Sequence, residues 1–315
     1  MRSWQFTGTH QPLVLNEVPM PEPGPGQVTI DVKAAGLCHT DVGVLHDDGW
    51  RETLMYAPIT MGHEVAGAIR AVGEGVTGWG VGDRVGVCPT TAAGAPGFSS
   101  DGGFGPVLAI GAEALVRIPD GLGFALGAAA TDAGMTSYHA VISNGQVTPG
   151  DAVGIIGLGG LGQVGARVAV LAGADVYVAE VNEKAWPLAD QIGAKGVMKS
   201  IRDFGDVEFD VIVDFAGFGV TTADAIETVK LGGRVVQVGM GTLEATISTK
   251  AMILRKVTYI GSNGGTPEDI SALYELMSRG ELVPALTEIT FDEIPDGLER
   301  LRRGDVRGRL VAIYE

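Results

Sequence analysis

The stretch from Asp151 to Gly165, Asp-Ala-Val-Gly-Ile-Ile-Gly-Leu-Gly-Gly-Leu-Gly-Gln-Val-Gly, restricts the fold of this chain more than any other. The apolar run Ala152 to Ile156 has the length of a buried parallel strand, and Gly157, Gly159 and Gly162 follow at the spacing of a phosphate-cradling turn. A strand that turns sharply into a helix near Gly160 needs a glycine at the turn, Gly157, and a bare backbone at Gly159 where a pyrophosphate approaches. Gly162 lets helix pack closely on strand, and the amides of Leu158, Gly160 and Leu161, with the positive end of the helix dipole, face the anion. Glycines alone do not decide the matter, because the chain holds 49 among 315 residues, roughly twice the usual share.

The flanking pattern does. A helix from Leu161 to Ala172 ends at Gly173, a second apolar strand runs from Val176 to Ala179, and Glu180 stands about twenty residues past the glycines. An acid there accepts hydrogen bonds from the adenosine ribose diol and repels a 2′-phosphate, whereas Asn182 and Glu183 add no basic clamp. NAD is therefore favoured over NADP, the alternative being that Glu180 is a solvated loop acid.

Length points to about two domains, and 45% hydrophobic with 19% charged residues describes a chain able to bury a large core. A formal charge of −16 and an isoelectric point near 4.7 argue against nucleic acid and anionic membranes as partners. Two cysteines, Cys38 and Cys88, are too few for a disulfide framework and suit a thiol in a reducing compartment. The N-terminus lacks a signal-peptide apolar core and no apolar run reaches a membrane span, so the expected location is cytoplasmic.

Ahead of Pro119 the chain reads as short strands with turn punctuation: Gln27 to Ala34, Glu64 to Val72 and Arg84 to Cys88. From about Gly134 to Ile260 strands marked by Val153, Val176, Val211, Val235 and Tyr259 alternate with helical segments around Val164, Leu188, Ala225 and Ala251, which implies a parallel sheet with right-handed crossovers. Helices over Pro267 to Arg279 and Asp292 to Arg303 and a strand over Arg309 to Tyr314 are too few for a domain, so they should return to the N-terminal unit. The expectation is an α/β protein with a catalytic domain over 1–133 and 265–315, a nucleotide-binding domain over 134–264, and a ligand cleft between them.

Chemistry-bearing residues concentrate in the N-terminal half, where Cys38-His39-Thr40-Asp41 leaves one strand and Gly62-His63-Glu64 enters the next. Cys and His suit a tetrahedral zinc, although a lone strand-end Cys and a lone His are also common core residues. These two motifs, Val81-Gly82-Asp83-Arg84-Val85 and the Gly157 turn, in this order and spacing, resemble the zinc-dependent medium-chain alcohol dehydrogenases over essentially the whole chain. The resemblance implies a GroES-like β-rich catalytic domain plus a Rossmann doubly wound parallel sheet. It implies that Cys38 and His63 ligate one catalytic zinc, that Asp132 supplies the third ligand where many members carry Cys, and that Glu64 is a nearby or transient ligand. Asp41 would orient a ligand or be a plain turn aspartate. Thr40 would hand on the alcohol proton, and His39 and Arg309 would lie near the pyrophosphate of NAD, with Lys184 one place off the usual ribose-contacting lysine. Trp50 would line the substrate pocket or anchor its loop.

The chain also departs from the family's pattern. The four-cysteine lobe for a structural zinc is missing after Cys88, which is left as a packing or cleft thiol, and Gly43 stands where many relatives have a relay histidine. His46 is the nearby alternative relay, or a plain loop residue. The implied activity is reversible NAD-linked oxidation of a small-molecule alcohol to an aldehyde or ketone, by a homodimer or homotetramer paired through the strand at Lys256 to Gly261. The alternatives are a zinc-free quinone or enoyl reductase of the same fold and a non-catalytic NAD-binding protein.

Overall fold

A computed structural model describes residues 1–314. The chain forms two compact units, one of residues 1–133 together with 266 onward, the other of residues 134–265.

The first unit is built on β1 (Arg2–Phe6), β2 (Val14–Glu17), β3 (Gln27–Leu37), β4 (Ile59–Thr60), β5 (Glu64–Val72), β6 (Arg84–Val87), β7 (Val107–Gly111) and β8 (Leu115–Arg117). The second holds β9 (Ala152–Ile156), β10 (Asp175–Ala179), β11 (Gly196–Met198), β12 (Val211–Asp214), β13 (Arg234–Gln237) and β14 (Thr258–Gly261). The chain then returns to the first unit with β15 (Leu286–Thr290) and β16 (Arg309–Ile313).

In the first unit β3 is the spine. It pairs antiparallel with β5, β7 and β16, and the sheet runs β15-β16-β3-β5-β6-β8. Its sequence, QVTIDVKAAGL, becomes almost wholly buried toward the C-terminal end, and register shifts at Thr29/Ile30 and Val32/Ala34 bend it. Val28, Ile30, Leu37, Val65, Ile69, Val85 and Leu108 close the core around it. β3 runs to Leu37, three residues beyond the expected Ala34, so Cys38 comes directly off the strand and stands at the N-cap of an unforeseen helix, His39–His46.

In the second unit the sheet order is β11-β10-β9-β12-β13-β14 with every pairing parallel, the doubly wound arrangement that the alternation implied. Val153, Ile155, Ile212, Val213, Val235 and Val236 are fully buried, each contributing about 1.5–3 kcal/mol of transfer free energy. β11 was not apparent in the sequence: its three residues are too short for a periodic pattern. Among the described residues no helix is long and apolar enough to cross a membrane.

Candidate active site

In the first unit, ligand atoms of Cys38, His63, Glu64 and Asp132 all lie within 4.8 Å of one another. Each arrives for a local reason. Cys38 joins the end of β3 to the helix His39–His46, and its backbone N–H donates to Asp41 Oδ2 at 2.9 Å. Glu64 opens β5 directly opposite Gly36 of β3, where its carboxyl fills the space a Cβ on residue 36 would need. Asp132 lies on a π turn, Ala130–Gly134, that directly follows the helix Phe124–Ala129. Widened turns of this kind recur at functional sites because they redirect a side chain without breaking the helix.

Around the cluster, Asp41 Oδ1 faces His63 Nδ1 at 3.3 Å, an ion-pair distance whose angle falls short of a hydrogen bond. His63 Nε2 faces Asp132 Oδ2 at 3.4 Å, and Cys38 Sγ lies 3.4 Å from Thr40 Oγ1 and 3.7 Å from Asp132 Oδ2. Arg309 donates through Nε to Glu64 Oε2 at 3.0 Å, pairs through Nη2 with Glu64 Oε1, and reaches Asp132 Oδ2 at 3.5 Å. Phe98 packs on the His63 ring with centroids 5.1 Å apart.

Asp41, Glu64, Asp132 and the Cys38 thiol are four groups able to carry negative charge, and Arg309 is a permanent cation set against Glu64 and Asp132. Burying unbalanced charge costs several kcal/mol per ion, so the donor set fits a divalent cation. The titration behaviour agrees. Burial opposes a charged His63, yet Asp41, Asp132 and Cys38 together hold the imidazole well above its ordinary value. Burial likewise pushes the Cys38 thiol up, but Arg309 leads the opposing influences and the net displacement is downward, toward thiolate.

Of the other expected residues, Thr40 is half-buried beside Cys38, and His39 and His46 are exposed. Arg309, expected at a pyrophosphate, is buried against Glu64 and Asp132. Cys88 is buried with its sulfur 3.3 Å from Thr90 Oγ1 and is not among the clustered donors. Trp50 explains Gly43: a Cβ there would stand 2.8 Å from the indole. Phe98 carried no signal in the sequence, since nothing local says that the loop after Cys88 folds onto His63.

The second unit has its own constellation. Gly157 adopts φ +88°, which a side chain would strain, and a Cβ on Gly162 would overlap the Gly157 carbonyl. Gly159 is exposed with nothing near its Cβ position. Glu180 is tied to this turn: Oε2 accepts from Leu158 N and Oε1 from Asn182 N, both at 2.7 Å. The helix that follows spans Gly162–Leu171. Exposed apolar residues gather past the carboxyl ends of the parallel strands, Val181 after β10, Phe218 and Val220 after β12, and Met240 after β13. In an open parallel sheet this is the ligand-binding edge.

Residues 24–120 match the alcohol dehydrogenase GroES-like domain and residues 160–279 the zinc-binding dehydrogenase family. An alcohol dehydrogenase of Geobacillus stearothermophilus is 32% identical over 96% of this chain and 96% of its own length. Among solved structures, an alcohol dehydrogenase from Aeropyrum pernix is 29% identical with a TM-score of 0.90 and covers both chains fully. The acetophenone reductase of Geotrichum candidum, in complex with NAD, is 28% identical with a TM-score of 0.91 over 99% of this chain and 97% of that one. The chain is thus an oxidoreductase of two parts, GroES-like and nucleotide-binding in fold. It belongs to the medium-chain alcohol dehydrogenase family.

Proposed function

We propose that this protein is a zinc-dependent, NAD-linked dehydrogenase that interconverts an alcohol and its aldehyde or ketone. The observation that carries the reading is the convergence of Cys38, His63, Glu64 and Asp132 within 4.8 Å in a buried, net-acidic setting. Cys38, His63 and Asp132 would hold the metal, leaving a fourth position for the substrate oxygen, while Arg309 keeps Glu64 engaged beside them. When bound, zinc supplies Lewis acidity toward that oxygen and NAD supplies the redox chemistry.

The chain's own residues do the rest. Asp41 faces His63 Nδ1 and thereby leaves Nε2 as the donor atom turned toward Asp132. Thr40, whose Oγ1 lies beside Cys38 Sγ, would pass the alcohol proton onward. Phe98 lies on the His63 ring as an apolar wall. In the second unit Glu180 would offer a carboxylate to the ribose diol beside a turn of Gly159, Gly160 and Leu161 that suits a pyrophosphate, whereas the Leu158 amide, expected to face the anion, is taken up by Glu180 itself. NAD bound to the related acetophenone reductase supports that cofactor. β14 is the unpaired edge of its sheet and mostly exposed, and Ile253 and Leu254 are exposed just before it, which supports pairing of two copies there.

A panel of primary, secondary and aromatic alcohols scored by NADH formation tests the reading. Turnover of at least one class with NAD, faster than with NADP, is expected, and no turnover of any alcohol or carbonyl despite NADH binding would refute it.

A further inference from the structure

We infer that Tyr274, on the helix Pro267–Ser278, is a positioning residue that sets the π turn carrying Asp132 and so tunes the metal affinity of the site. The inference rests on the reading of Asp132 as a metal ligand. An α-helix that widens to π spacing offsets carbonyls from their usual i+4 donors, and such carbonyls need other partners. At this junction two carbonyls take hydroxyl donors. Tyr274 Oη donates to Gly127 O at 3.0 Å, and Thr131 Oγ1 donates at 2.8 Å to Ala128 O, a carbonyl that the Ala130 N–H also reaches.

Both hydroxyl-bearing residues are fully buried, and burial drives the phenol upward, so Tyr274 stays a protonated donor. A buried carbonyl deprived of its donor loses more than the net gain of one neutral hydrogen bond, because its desolvation is left uncompensated. The fold makes room for this one contact: Gly86 on β6 lies under the pair, and a Cβ there would overlap Tyr274 Oη and stand 2.8 Å from Thr131 Cγ2. Asp132 follows Thr131 directly, and its carboxylate must meet both His63 Nε2 and Cys38 Sγ at 3.4 and 3.7 Å. A half-turn that relaxes from π to α spacing would rotate Asp132 away from these partners, while Cys38, His63 and Glu64, all held by β3 and β5, would stay.

The test uses the full-length holoenzyme and the variants Tyr274→Phe, Asp132→Ala and their combination. Three quantities are read: zinc content, zinc retention against a chromophoric chelator, and the visible d–d spectrum after cobalt(II) replaces zinc. Tyr274→Phe should fall by roughly tenfold in zinc affinity, the low end of what outer partners of a metal site contribute, with an altered cobalt spectrum and unchanged NADH binding. In the Asp132→Ala background the same substitution should add little, because the two act through one group.

Wild-type zinc affinity and cobalt spectrum in Tyr274→Phe, or equal losses in both backgrounds, would overturn the inference. Should the Phe variant fail to fold, Thr131→Val removes the other hydroxyl at the junction and carries the same expectation, with wild-type affinity as the overturning result. A wild-type protein that binds no zinc would instead refute the metal reading itself, a result separable from the first.

Discussion

The donor cluster of the first unit and the glycine turn of the second are organised in opposite ways. The turn is local: Gly157 to Gly162 are contiguous, and Glu180 is bound to them by one amide, Leu158 N. The cluster is assembled from four separate segments, at Cys38, His63–Glu64, Asp132 and Arg309, by β3 pairing with β5 and β16 and by a π turn. A local site needs mostly backbone freedom and fails when that freedom is lost. An assembled site needs charge balance and support from outside, and fails when one tether is cut.

The largest effect should follow from cutting the assembled site. Asp132→Ala should bind zinc far more weakly, through Cys38, His63 and Glu64 alone, and lower kcat/KM by roughly 10³-fold, since Lewis-acid assistance accounts for several kcal/mol and each decade of rate takes 1.36 kcal/mol. NADH binding, read by fluorescence titration, should be unchanged, and retained turnover would remove Asp132 from the centre. Next comes Asp41→Ala, which frees His63 Nδ1 and should weaken zinc about 10- to 100-fold, measured by chelator competition.

Cutting the local site should act on the cofactor alone. Glu180→Ala should raise the NAD KM by about tenfold or more and narrow the preference over NADP, because hydrogen bonds to a charged group contribute about 1.5–3 kcal/mol. An enzyme already faster with NADP would show that Glu180 has another role. Metal content should not change, which separates the two regions cleanly.

A smaller effect concerns acidity. His63 in the metal-free chain is raised well above 6.5, so its proton stabilises the folded metal-free state fully below 6.5, and that contribution is lost as pH rises through the raised value. Zinc must displace the same proton. Apparent zinc affinity should therefore climb with pH across this window by up to about tenfold per unit, and the melting temperature of metal-free protein should fall over the same range. A flat affinity profile would contradict the charge balance described for the cluster.

How much of each region could be read from the sequence follows from the same contrast. The Gly157 turn, Glu180 and the strand–helix alternation are patterns within a few dozen residues, and the doubly wound sheet follows from them. The cluster was legible only through resemblance to a family, because nothing in the spacing of Cys38, His63 and Asp132 says that they meet. Even so the reading missed what packing alone decides. Arg309 sits against Glu64, Trp50 fills the place beside Gly43, Phe98 covers His63, and Tyr274 reaches Gly127 across the unit. The helix His39–His46 was missed because its eight residues mix Gly, Asp and Thr with few apolar positions, leaving no periodic face.

Zinc content set against turnover tests the central claim most directly. Protein purified without added metal should carry close to one zinc per chain, matching the one donor cluster among the described residues, and a strong chelator should remove metal and activity together, with zinc restoring both. Less than about half an equivalent of zinc, with alcohol oxidation undiminished by the chelator, would contradict the account.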